Sequence, residues 1–368
     1  MDMNREVTLR QIAFMFLFIS LSPILRQIPA ELAREAGRSG YLSPIWAAVA
    51  VFFLTAIMIF LIRTYPGLNI YEIMVQLTGK FLAKIFLLGY LLWLLLSIAA
   101  KINAYSLTLQ FTLMPRTRAD FFMVTLIILV YYALLRGIKT IFRFSEFSLG
   151  PILIFFALLF LCALSRLRTD YLLPVSTISI PSTIFASVNV VTVGGNLIII
   201  LFFADKLGVS VTKFQIRKLW YGALVFCILT FIITIFTFGI TGADLTASVS
   251  FPFYITVKSI SFFNIFERFE VIVTLICVLS DFITICILAV LLLRSFEWLF
   301  NLKENSFLTV PLTIIVFYLT YYVCGTQFEF NFLYRNVLTY VNLIFEYAIP
   351  VLLALLCLLR RRKIQKQF

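Results

Sequence analysis

The sequence predicts an all-α polytopic membrane protein of about ten transmembrane helices, arranged as a five-plus-five inverted repeat with discontinuous first and sixth helices. Three observations lead there. First, 62% of the 368 residues are hydrophobic and 13% charged, with a mean hydropathy of +1.05. A soluble domain carries roughly a quarter charged residues, so the surplus apolar surface calls for lipid. Second, apolar runs such as 121–135 are unbroken. A span of ~30 Å takes about 20 apolar residues as a helix, whereas a barrel would show ~10-residue strands of alternating polarity. Third, two runs are interrupted at corresponding places in the two halves.

The predicted spans cover 9–25, 41–62, 85–109, 121–135 and 147–164, then 184–204, 219–240, 269–293, 307–323 and 337–359. The chain reads as a single transmembrane domain over 1–368, with a first repeat over 8–164, a second over 184–359 and a basic tail over 360–368. Asp2 and Glu6 accompany the arginines at the start, and no small-residue cleavage site follows, so no removable signal peptide is expected. Lys and Arg favour the loops on the side of the termini by roughly two to one, which places both termini in the cytoplasm. The net charge of +13 then belongs to loops facing anionic lipid and cytosol rather than to a nucleic-acid surface.

Two connectors carry their own signals. Asn69 is placed to cap a short helix over 70–78, stopped by Gly79. The aromatic stretch 250–266, interrupted by Pro252, predicts an interfacial helix on the outer face.

In the first span, Ser22-Pro23 follows the apolar run, and the ring of Pro23 predicts unwinding near Ser22. In the sixth, Gly194-Gly195-Asn196 lies mid-span, and adjacent glycines let backbone approach a ligand. Interrupted helices at matching positions point to a transporter-like binding site at the bilayer midplane. Ligand contacts are expected from Ser22, Pro23 and Ile24 together with Gly194, Gly195 and Asn196. An ionisable residue within a span costs ~2.5–3.5 kcal/mol on insertion scales and is a functional candidate by default. Lys101 and Asp281 sit at corresponding places in the two halves, at depths of about 25 Å and 20 Å by helical rise. They are expected to face each other across the cavity, with Asn103 on the same wall. Glu346 is read as making a hydrogen bond in helix packing.

Shorter pieces add a likeness. Ile24-Leu25 and Ile28-Pro29 precede Glu35-Ala36-Gly37, and Tyr65-Pro66-Gly67 leads to Leu77-Thr78-Gly79-Lys80. Gly137 with Arg143 and Glu146, Leu173-Pro174-Val175, and Phe266-Glu267-Arg268-Phe269 follow in order. In these pieces the chain resembles the B subunit of bacterial spore germinant receptors, the endospore germination permeases of the amino acid–polyamine–organocation transporter superfamily. Family members usually carry glycines at the first break, where this chain has Ser20-Leu21-Ser22-Pro23. The resemblance implies a small nutrient germinant, typically an amino acid, and assembly with a receptor A subunit and a lipoprotein C subunit in the spore inner membrane.

Function classes narrow accordingly. The chain has no histidine, and its six cysteines lie in apolar runs without metal-type spacing, which suits small buried hydrophobes. No phosphate loop and no long soluble segment is present, so neither an enzyme nor a cofactor is expected. A germinant-sensing receptor subunit leads. A secondary amino-acid transporter and a scaffold without ligand are the alternatives, and the same cavity would serve the first two.

Overall fold

The computed structural model describes residues 7–173, 180–207, 213–259, 269–302, 306–323 and 326–365. Every regular element among them is helical. Among the described residues, nine helices are long and apolar enough to cross a membrane, and a shorter apolar helix covers Thr309–Tyr322. The protein is therefore an all-α, multi-pass membrane protein, because backbone groups in lipid must be paired within their own segment.

The first half comprises α1 (Leu9–Arg26), α2 (Ile28–Ala36), α3 (Ser43–Thr64), α4 (Ile70–Thr78), α5 (Lys80–Thr112), α6 (Ala119–Arg136) and α7 (Ile138–Ala163). The second begins with α8 (Ile180–Gly194), a 3₁₀ turn over Gly195–Ile198, α9 (Ile199–Phe202) and α10 (Lys213–Thr241). Short α11 (Ala243–Ser248) and α12 (Pro252–Lys258) lead to α13 (Phe269–Phe300) and α14 (Thr309–Val323). The last span is α15 (Gln327–Leu333), α16 (Thr339–Asn342) and α17 (Ile349–Gln365), joined by π-helical turns at Tyr334–Leu338 and Leu343–Ala348.

Local chemistry accounts for several ends. Asn69 Oδ1 accepts from the Glu72 amide at 3.0 Å while Glu72 Oε2 accepts from the Asn69 amide at 2.9 Å. This reciprocal capping box starts α4, and Gly79 closes it as the sequence predicts. Pro252 opens α12 at its first position, where a missing N–H costs nothing, rather than breaking it. From 260 onward that predicted interfacial segment, with 174–175 and 266–268, lies outside the described residues.

α1 is buried almost end to end and packs against α7, α10 and α13. α5 packs along α13, and α3 against α8 and α10. α2 lies on α8 while α1 touches both α8 and α9, so the two interrupted helices pack against each other. α6 and α7 stand at the periphery. Val124, Ile128, Tyr132 and Leu135 on α6 are exposed, as are Phe147, Ile154, Leu158 and Leu161 on α7. These outward faces recur at helical spacing and would be an aggregating surface in water; in lipid they are the solvent-facing side.

The predicted unwinding near Ser22 is not where the chain breaks. α1 remains helical through Pro23 and ends at Arg26, with Gln27 as the joint to α2. Pro23 removes only its own amide, the one that would reach Ile19, and the ladder resumes beyond it, with the Gln27 amide donating to the Pro23 carbonyl at 3.0 Å. At the preceding turn the Ser280 hydroxyl of α13 donates to the Phe18 carbonyl at 2.6 Å and accepts from the Ser22 amide at 3.1 Å. The second break falls where the glycines predict it, as the 3₁₀ turn beginning at Gly195.

Candidate functional site

Both breaks open on one cavity of about 60 Å³. Pro23, Arg26 and Gln27 line it from the first break; Thr192, Val193 and Asn196 line it from the second. α5 contributes Trp93, Ser97 and Lys101, and the last span contributes Tyr334, Leu338, Asn342 and Glu346. A volume of this size holds a few waters or one small polar solute. A smaller cavity of about 20 Å³ adjoins it on the α2 side, sharing Arg26, Gln27, Ala104 and Phe330.

Of the residues expected to contact a ligand, Pro23, Lys101 and Asn196 line this cavity together. Ser22, Ile24, Asn103, Gly194, Gly195 and Asp281 stand behind it, all buried. The two glycines serve packing. A Cβ on Gly194 would run into Val51, and the Gly195 position is filled by Glu346, whose Cβ and Cδ would both lie 2.7 Å from an added methyl. The absent side chain at Gly195 is what gives the Glu346 carboxylate its seat.

The expected pairing of Lys101 with Asp281 is replaced by another. Asp281 Oδ2 forms its ion pair with Arg26 Nη1 at 2.9 Å, and the two side chains are 0% and 4% exposed. The same nitrogen donates to the Ala104 carbonyl at 3.0 Å and to Thr108 Oγ1 at 2.8 Å. The guanidinium reaches Asp281 because α1 continues helical past Pro23 and carries Arg26 to the edge of the break. Lys101, one turn from Ala104 on α5, stays on the cavity wall.

Glu346 is the residue whose sequence reading the geometry changes most. Its Oε2 is buried without a hydrogen-bond partner, so the packing bond expected of it is not made by that oxygen. It sits in the second π turn, where the Ile349 amide donates to the Ile344 carbonyl five residues back. The first π turn is marked by the Thr339 amide and hydroxyl both donating to the Tyr334 carbonyl. π turns appear mostly as single turns and frequently at functional sites. Here they aim Tyr334, Leu338, Asn342 and Glu346 at one cavity. Their positions are pinned from outside: Tyr90 donates to the Phe345 carbonyl at 2.8 Å, Trp93 Nε1 to Asn342 Oδ1 at 2.8 Å, and Tyr347 to the Val191 carbonyl at 2.9 Å.

Two further charge clusters close the ends. On the α2 side, buried Glu31 pairs with Arg34 at 2.7 Å and Arg335 at 2.9 Å. Beyond α9, Arg294 donates to the Phe202 carbonyl at 2.7 Å and pairs with Asp205 at 2.5 Å. A cation at the open carbonyls of a helix C-terminus complements its partial negative charge.

Residues 6–328 match the family model described as spore germination protein, the spore permease family. The chain belongs to this family. Comparison with curated proteins gave no match. In this germination permease the matched region contains both helix breaks and Lys101, Arg26 and Asp281. Glu346 and the two π turns lie beyond its end.

The sequence signal for Arg26 is a cation immediately after an apolar run that still continues, as Ile28, into apolar residues. For Glu346 it is the carboxylate within the last span. Neither signal carries direction, which is why the cavity's charged pair differs from the expected one.

Proposed function

We propose that this chain is the nutrient-sensing membrane subunit of a spore germinant receptor. It binds a small zwitterion, an amino acid, in the cavity at the two helix breaks. The observation that carries this reading is the charge set around that cavity: one carboxylate, Glu346, and two cations, Lys101 and Arg26, line the same space. A ligand ammonium suits Glu346 and a ligand carboxylate suits the cations, because buried charges require partners. Germination family membership supports a sensory role.

The same reading gives ten spans, counting the short helix Thr309–Tyr322, in two five-helix repeats of opposite orientation. The packing of the two interrupted helices, α1 and α2 against α8 and α9, supports that arrangement. Both termini are cytoplasmic, in keeping with the distribution of Lys and Arg. Receptor A and lipoprotein C subunits complete the complex in the spore inner membrane. Ligand binding closes the space between the interrupted helices, and that movement is passed to the partners.

The decisive experiment is germination of spores lacking this chain, scored against amino acids, sugars and nucleosides. Selective loss of the response to one or a few amino acids is expected, and Glu346→Gln should reproduce that loss at normal abundance. An unchanged response to every nutrient would remove the sensory role. Accumulation of labelled amino acid in proteoliposomes would instead favour a secondary transporter.

A further inference from the structure

We propose that a groove between α1 and α10, remote from the central cavity, is a binding site for one anionic phospholipid. α1 presents Arg10, Ala13, Phe14 and Leu17 to this groove. α10 presents Lys218, Tyr221, Gly222 and Val225. Both sets follow the spacing i, i+3, i+4, i+7, which is one face of a helix. Each begins with a cation and continues with residues that are apolar or aromatic.

The two helices start at the same end of the molecule. Gly222 rests on Ala13, where an added Cβ would come within 3.1 Å of the Ala13 Cβ. Register at that contact sets Arg10 and Lys218 beside each other at the mouth. The groove holds about 290 Å³, against about 60 Å³ at the helix breaks. It is a slot with charge at one end and hydrocarbon along its length.

The charge at the mouth is positive on balance. Arg10 pairs with Glu146 at 2.9 Å but is 53% exposed. Lys218 lies over the Phe214 ring at 4.6 Å and makes no ion pair with a described residue. Arg217 donates to the Tyr221 hydroxyl at 3.0 Å, adding a third cation against the single carboxylate. Basic pockets between membrane helices hold anionic headgroups, and each nearby cation is worth roughly fivefold in binding, equivalent to about 1 kcal/mol. A phospholipid fits both parts, with its phosphate between Arg10 and Lys218 and an acyl chain along Phe14, Leu17 and Val225.

The test uses the full-length purified protein in nanodiscs of phosphatidylcholine, with or without phosphatidylglycerol, and native mass spectrometry to count retained lipids. One phosphatidylglycerol should be retained in preference to phosphatidylcholine, with a higher Tm in the mixed discs. Lys218→Gln should weaken that preference about fivefold, while Lys218→Arg keeps it. Val225→Trp should block retention by filling the apolar half without touching the charge. Equal retention of both lipids would overturn the proposal, as would full phosphatidylglycerol preference in Lys218→Gln. A Tm shift reproduced by inorganic phosphate alone would equally overturn it, since the site would then recognise phosphate rather than lipid.

Discussion

Removing Arg26 should harm this protein more than removing Asp281, although the two form one ion pair. Asp281 is fully buried, its Oδ2 is held by Arg26, and its Oδ1 has no partner. Arg26→Met therefore strands a buried carboxylate without a hydrogen-bond partner, leaving it only the through-space attraction of Lys101. Breaking a buried pair in this way costs about 3–5 kcal/mol. Asp281→Leu likewise leaves a buried guanidinium without its counter-ion and with Nε unpartnered, but Nη1 keeps two neutral acceptors, the Ala104 carbonyl and Thr108 Oγ1. Those two retained bonds put the cost at the low end of that range, about 3 kcal/mol. Replacing both residues strands neither charge, and Thr108 Oγ1 still donates to the Ala104 carbonyl at 2.7 Å. The double variant should fall within about 1 kcal/mol of the parent, because apolar replacements of buried pairs are often neutral. The assay is denaturant unfolding of all four proteins in one detergent, analysed as a double-mutant cycle. Equal costs for the single variants, or a double variant as damaged as their sum, would refute the reasoning.

Three other substitutions probe the breaks and caps. Ser280→Ala removes the hydroxyl between Phe18 and Ser22 and should cost about 1–3 kcal/mol, with faster amide exchange confined to the middle of α1. Gly195→Ala places a methyl 2.7 Å from the Glu346 Cβ and should cost about 1–3 kcal/mol; adding Glu346→Ala should restore abundance in membranes but not the germination response. Asn69→Ala breaks the capping box of α4 and should cost about 1 kcal/mol, read as earlier proteolysis between α3 and α5, with Asn69→Asp close to the parent.

The parts of the fold written in local chemistry are the ones the sequence discloses. Continuous apolar runs mark the spans, Asn69 with Glu72 marks the start of α4, and Gly194-Gly195 marks the second break. The first break is misplaced because Pro23 marks one lost amide rather than the end of the helix, and α1 runs on to Arg26. The Ser280 hydroxyl that binds the turn before it comes from 258 positions away and leaves no local trace in the sequence. Arg26 sits at the end of an apolar run, and nothing local in the sequence shows that α13 brings Asp281 to it. Glu346 escapes for a different reason. It is visible as a carboxylate within a span, but its direction is set by a wide turn that no local pattern announces. The glycines illustrate the same limit, since their small size is visible in sequence but the Val51 and Glu346 that occupy the space are not.

The two π turns also set the length tolerance of the last span. Each wide turn takes in one more residue than an α-helical turn before the ladder resumes, so 334–348 carries slack in its register. A one-residue deletion in an ordinary α-helix rotates everything beyond it by about 100° and shortens it by ~1.5 Å. Within this stretch, a deletion can be absorbed by narrowing a π turn to an α turn, leaving α17 facing as before. What such a deletion would lose is local: the aim of Asn342 and Glu346 into the cavity. The span thus separates two tasks along one helix, a register-tolerant stretch that shapes the cavity and a regular stretch that keeps the C-terminal end in place.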